Sequence, residues 1–250
     1  MRHPLRSLLA VAVLALPLAA LAADVKVLTA GAFRQVLLAA QPAFEQRTGH
    51  HLVIEGDTSG GLQRRIAAGE AFDVVVSSPA SLAPVSSRLV GAPRPLARVG
   101  IGIAVKAGAP VPTIDSVDAF RALLLRAKGV AMVDPAAGGT SGIYLFRVFE
   151  KLGILDQVRA KAVLVQGGFS AGKVVSGEAD VAIQQMSELV AVPGVAIVGP
   201  LPAEIQSETV YAGAVAVEAR QAQAASQLLD ALLAPSMEPV LRSKGLEPPR

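Results

Sequence analysis

The chain has 250 residues, a formal charge of +3 at pH 7, 4% aromatic residues and no cysteine or tryptophan. The absence of cysteine excludes disulfides, thiolate metal sites and a lipid-anchored cysteine. The small charge, two tyrosines and lack of a basic run argue against nucleic acid as a partner.

Arg2 and Arg6 precede the apolar run LLAVAVLALPLAALA, which ends on Ala20-Leu21-Ala22. A basic start, an apolar stretch and an A-x-A site predict an export leader over residues 1–22, cleaved before Ala23. The run is short for a spanning helix, and Pro17 interrupts it. The expected product is soluble and periplasmic, with a charge near +1 once the two arginines leave. Its roughly 230 residues suffice for one large domain or two small ones.

VKVLTA (25–30) reads as a buried strand, and the helix opened by Gly31-Ala32 puts Phe33, Val36, Leu37, Ala40 and Phe44 on one face. HLVIEG (51–56) is a second strand, followed by the loop DTSGG and a helix with Leu62 and Ile66 inward; FDVVVSS (72–78) is a third. This alternation predicts a mostly parallel sheet covered by helices. VGIGIAV (99–105) is extended, and after a polar loop the pattern restarts. VDAFRALLLRA is a helix, GVAMVDP a strand, SGIYLFRVFEKLG a helix and AVLVQ a strand. The loop and helix GGFSAGKVVSG then lead to the strands ADVAIQQ and VAIVGPLP. TVYAGAVAV (209–217) is extended again, before a helix on Ala225, Leu228, Leu229 and Leu232 and a last short helix. The expectation is an α/β chain of two lobes, 23–102 with 210–250 and 103–209. Two crossovers between them make a hinge and a ligand cleft.

Four strand-to-helix junctions carry small or hydroxyl residues: Gly31-Ala32, Thr58-Ser59-Gly60-Gly61, Gly139-Thr140-Ser141-Gly142 and Gly167-Gly168-Phe169-Ser170. Each reads either as an ordinary cap, with Thr140 or Ser141 capping its own helix, or as a seat for an anion on free N–H groups. In an open α/β sheet all four fall at the carboxyl ends of strands, where ligands bind.

Gly168-Phe169-Ser170-Ala171-Gly172 is a literal G-x-S-x-G, but its hydrolase chemistry needs a histidine after the serine. The three histidines, His3, His50 and His51, all precede it. The run from Gly167 to Lys173 lacks the hydroxyl of a phosphate-binding loop, since Val174 follows the lysine. His50-His51 has no further histidine or cysteine to complete a metal site. No catalytic residue, metal or cofactor is expected; an exported hydrolase using Ser170 is the opposing class.

SGGLQRRIAAGEAFDVVVS, DPAAGGTSGIYLFRVFEKLG and GEADVAIQQ resemble the molybdate-binding proteins of ABC importers, within the type II periplasmic binding proteins. The resemblance covers essentially the whole chain after the leader. It implies a two-lobed, monomeric receptor that closes on a small anion and delivers it to a membrane permease. It also implies ligand contacts at Gly31, Ala32, Ser59, Gly60, Thr140, Ser141 and Gly168, with Gln185 where the family has a late tyrosine. Ala32 replaces a family serine and can offer only its N–H. Arg34, Arg64 and Arg65 follow the first-lobe junctions, and a guanidinium there suits a carboxylate better than an encircled oxyanion. Molybdate or a related oxyanion, and a small di- or tricarboxylate, are therefore both expected ligand classes.

Overall fold

A computed structural model describes residues 22–250; apart from Ala22, the expected leader lies outside them. The first part of the chain forms β1 (Asp24–Ala30), α1 (Gly31–Thr48), β2 (His51–Asp57), α2 (Ser59–Ala67), β3 (Val74–Ser77) and α3 (Pro79–Leu82). The 13-residue β4 (Arg94–Lys106) leads into α4 (Val117–Arg126), β5 (Val130–Val133), α5 (Thr140–Lys151), α6 (Leu155–Arg159) and β6 (Ala162–Val165). Then come α7 (Ala171–Val175), β7 (Val181–Gln185), α8 (Met186–Leu189), β8 (Val195–Pro200), β9 (Glu208–Val215), α9 (Ala222–Leu233) and α10 (Glu238–Ser243).

The strands lie in the order β2-β1-β3-β9-β4-β7-β5-β6, with β8 on β4. β1 pairs in parallel with β2 and β3, and β5 with β6 and β7; the pairs that involve β4 or β9 are antiparallel. β3, β5 and β7 are buried at every position, so VVVS, VAMV and VAIQQ show no in–out alternation. Two large apolar cores result, with a smaller cluster around Ala171, Val174 and Leu189. One draws on residues from Val25 to Val99 and from Tyr211 to Leu246, around Phe33, Leu62 and Leu228. The other lies between Ile101 and Leu201, around Phe120, Leu145 and Phe149.

β4 is common to both sheets. Arg94–Gly100 pairs with β9, and from Ile101 onward the strand pairs with β7 and β8. At this crossing the Gln206 side chain brackets Ile101, accepting from its N–H at 3.0 Å and donating to its carbonyl at 2.9 Å. The side-chain amide supplies the paired bonds a neighbouring strand would otherwise provide.

Candidate functional site

The carboxyl ends of β1, β2 and β5 meet the loop at 167–169 and the strand β9 around a cleft of about 510 Å³. A larger hollow of about 760 Å³, between the end of α1 and the start of α9, lies away from these strand ends. Position at the strand ends, and not size, picks out the former.

Both α1 and α5 begin on this cleft without a side-chain cap; the residues preceding them are Ala30 and Gly139. Their first-turn N–H groups have no intrahelical acceptor and open on the cleft with the positive end of each helix. Thr140 and Ser141 thus do not cap their own helix. Glycine is required here because α5 starts hard against β5. A Cβ on Gly139 would lie 2.2 Å from the Val133 side chain, and one on Gly142 2.1 Å from the Val133 carbonyl oxygen. α2 is different: Thr58 caps it, accepting from the Gly61 N–H at 2.9 Å.

Of the residues expected from sequence, Gly31, Ala32, Arg34, Ser59, Thr140, Ser141 and Gly168 line the cleft. Gly60, Arg64 and Gln185 do not. Gly60 is packed on the backbone of Gly138, with its N–H on the Gly138 carbonyl at 3.0 Å. Arg64 donates to the Ala137 carbonyl at 3.1 Å, beside the Thr58 hydroxyl on the same oxygen at 2.6 Å. These three contacts join α2 to the loop before α5, so the two sides of the cleft touch. Gln185 stands behind the lining and donates to the hydroxyls of Thr140 at 3.1 Å and Thr209 at 2.9 Å. It positions Thr140.

Sequence reasoning missed Asp57, Glu188 and Tyr211, all on the lining. A tyrosine stands on the lining all the same: Tyr211, buried on β9, lies beside Ser59 and Thr140. Burial pushes it up from its ordinary pKa, so it stays a neutral donor. Glu188, on the one-turn α8, is 8% exposed, and its Oε1 sits against Gly31, where a Cβ would approach to 2.6 Å. Burial pushes its carboxyl up to about 8, against hydrogen bonds from the Gln184 side chain and the Gln185 backbone that favour the charged form. A tyrosine on an alternating strand, and a glutamate one turn past a buried strand in the apolar stretch VAIQQMSELV, were the available signals.

Ser170 is fully buried, and its hydroxyl and N–H both meet the Gln184 side-chain oxygen at 2.7 Å. Its neighbours fix the 167–170 loop: Gln184 also donates to the Gly168 carbonyl at 2.8 Å. The geometry is that of a structural serine. Among the described residues no group of three or more His, Cys, Asp or Glu is arranged to hold a metal ion, and no helix is long and apolar enough to cross a membrane.

Two α/β lobes, strand ends converging on a cleft and one long strand common to both sheets define a type II periplasmic binding fold. The sequence pattern described as Bacterial extracellular solute-binding protein matches residues 25–247, and the chain belongs to that family. In fold it is similar to the periplasmic molybdate-binding protein of Azotobacter vinelandii, with a TM-score of 0.74 at 20% identity, covering 90% of this chain and 100% of that one. It is also similar to the sulfate-binding protein of Mycobacterium tuberculosis, with a TM-score of 0.72 at 19% identity over 90% and 87% of the two chains. In sequence it is 35% identical to a Pseudomonas protein named aconitate isomerase over 231 residues, 89% of this chain and 87% of that protein.

Proposed function

We propose that the chain is an exported, monomeric periplasmic receptor whose lobes, 23–102 with 210–250 and 103–209, close on a small organic polycarboxylate of the aconitate class. Delivery to the permease of an ABC importer completes this reading. The observation that carries the ligand class is Arg34. Arg65 is held by Glu55 and Glu70, whereas Arg34 lines the cleft with no ion-pair partner among the described residues. Its stem lies over Gly56, where a Cβ would come within 3.0 Å of Cδ. A guanidinium so placed offers a carboxylate a two-pronged contact, while the uncapped starts of α1 and α5 serve further carboxylates. The volume falls in the range of about 300–1,000 Å³ common for small organic ligands. The name of the 35% identical relative supports the same ligand class.

The uncapped helix starts also favour a second reading, a tetrahedral oxyanion such as molybdate held by N–H and hydroxyl donors. Arg34 weighs against it, since a planar, forked guanidinium on the lining matches a carboxylate better than a tetrahedral ion encircled by neutral donors. Calorimetric titration of the ligand-stripped mature protein with cis-aconitate, trans-aconitate, tricarballylate and molybdate separates the two. Heat from a tricarboxylate and none from molybdate is the expected result; the reverse restores the oxyanion.

A further inference from the structure

We infer that Glu188 is a proton-transfer group, and that the cleft moves a proton along the carbon skeleton of the polycarboxylate it holds. This rests on the ligand class proposed above and adds chemistry to what would otherwise be a binding site. A cleft built only to hold anions gains nothing from a carboxyl on its lining. Glu188 stands there with no ion-pair partner among the described residues, which is the composition of an acid–base site.

The surroundings of Glu188 suit that role. The charged or titratable groups sharing the cleft with it are Arg34 on α1, Asp57 at the end of β2 and Tyr211 on β9. β7 offers it the neutral side chain of Gln184 and the backbone of Gln185, and the uncharged Ser59 on α2 and Thr140 on α5 share the lining. On the side of β4, Gly102 packs against Met186 and Leu189 of α8, which are apolar. Burial favours the neutral acid, while the uncapped start of α1 beside Oε1 favours the carboxylate. The opposed influences let a proton enter and leave near neutral pH, where general acid–base catalysis is most effective.

With cis-aconitate bound, the Glu188 carboxylate takes a proton from the methylene next to the double bond. That C–H bond breaks, and its electron pair spreads over the three-carbon allylic unit and its carboxylates. The resulting Glu188 acid returns a proton to the opposite carbon of the unit, forming a new C–H bond. The double bond has then moved by one position, the formula is unchanged, and no oxidant, reductant or cofactor takes part. The geometry of the new double bond is set by where the cleft holds the carboxylate of the former methylene.

The test follows cis-aconitate by proton NMR in D₂O with the wild-type mature protein and with Glu188→Gln, which keeps the shape of the neutral acid. Wild type should form trans-aconitate and exchange methylene protons for deuterium. Glu188→Gln should lose both by about 10²–10⁴-fold while binding trans-aconitate within tenfold of wild type by calorimetry. In wild type, kcat/KM should rise with pH as the free acid ionises near 8. Should Glu188→Gln fail to fold, this profile decides the matter alone: a flat profile from pH 6 to 9 overturns the proposal. So does turnover by Glu188→Gln within tenfold of wild type, or wild type that binds cis-aconitate and leaves it unchanged. Absence of binding by any tricarboxylate overturns the ligand class, and the proton transfer with it.

Discussion

Gly60 and Gly138 meet backbone to backbone across the mouth of the cleft, the Gly60 N–H on the Gly138 carbonyl at 3.0 Å. A Cβ on Gly60 would lie 2.8 Å from the Gly138 Cα, and one on Gly138 2.7 Å from the Gly60 Cα. The neighbours are main chain and have no rotamer to change. A methyl group at Gly60 therefore holds the lobes apart while leaving each core intact. Gly60→Ala should weaken ligand binding by about 1–3 kcal/mol, the usual cost of an overpacked contact, with the melting temperature of the unliganded protein little changed. Calorimetry with a calorimetric melt checks both halves; unchanged affinity would mean that ligand is held without this contact.

Arg34 is expected to set the ligand class. Arg34→Ala should weaken a tricarboxylate by about 1.5–3 kcal/mol, the range for a hydrogen bond to a charged group. Arg34→Lys should recover part of that loss, because an ammonium keeps the charge and gives up the two-pronged geometry. Titration of the three proteins with tricarballylate measures the difference. Equal affinities would place the arginine outside the binding contacts.

Tyr211 shares the cleft lining with Ser59, from one lobe, and Thr140, from the other. Removing only its oxygen, in Tyr211→Phe, leaves the ring in the core and should cost ligand affinity about 0.5–1.5 kcal/mol. Ser59→Ala should cost about 1–3 kcal/mol, because a buried acceptor or donor is then left unmet. Since the two residues are neighbours on one lining, the double variant should lose less than the sum of the singles, which a double-mutant cycle of calorimetric affinities would show.

Glu188 also predicts a pH dependence of stability. Its ordinary value of 4.5 applies to the unfolded chain, and the folded value is about 8. Between these the folded state binds more protons than the unfolded one, so this group makes stability fall as pH rises across the window. The slope is at most about 1.4 kcal/mol per pH unit. Glu188→Gln lacks the ionisation and should gain steadily on wild type from pH 5 to 8 in urea unfolding. A constant difference between the two across that range would show that Glu188 titrates normally.

The alternation of apolar runs with helical periods made the α/β architecture legible. β3, β5 and β7 were visible as short unbroken apolar stretches bounded by turn residues. The junctions that line the cleft were legible for the same reason: glycines and hydroxyls at strand ends have few other uses. Side chains brought in from distant parts of the chain were not. Tyr211 reaches the cleft only because β9 returns between β3 and β4, a pairing that no local pattern encodes. Glu188 sits on a four-residue helix, too short to show a period, and its burial comes from the packing of Gly31 against it. Gly60 and Arg64 were misplaced because position next to a site residue in sequence says little about which side of a helix start faces the ligand. Their side turned out to face the opposite lobe.

The bracket that Gln206 places on Ile101 has a kinetic consequence. The amide of Ile101 is protected by a side chain, and a side chain lets go by a torsion about its own bonds, with no need to part strands in either sheet. If lobe movement turns about this crossing, deuterium should enter at Ile101 as often as the hinge flexes, while the amides of Val99 and Ile103, held in ladders on either side, exchange only on deeper unfolding. One backbone position would then keep time for the opening of the whole receptor, and added ligand should slow that clock without touching its neighbours.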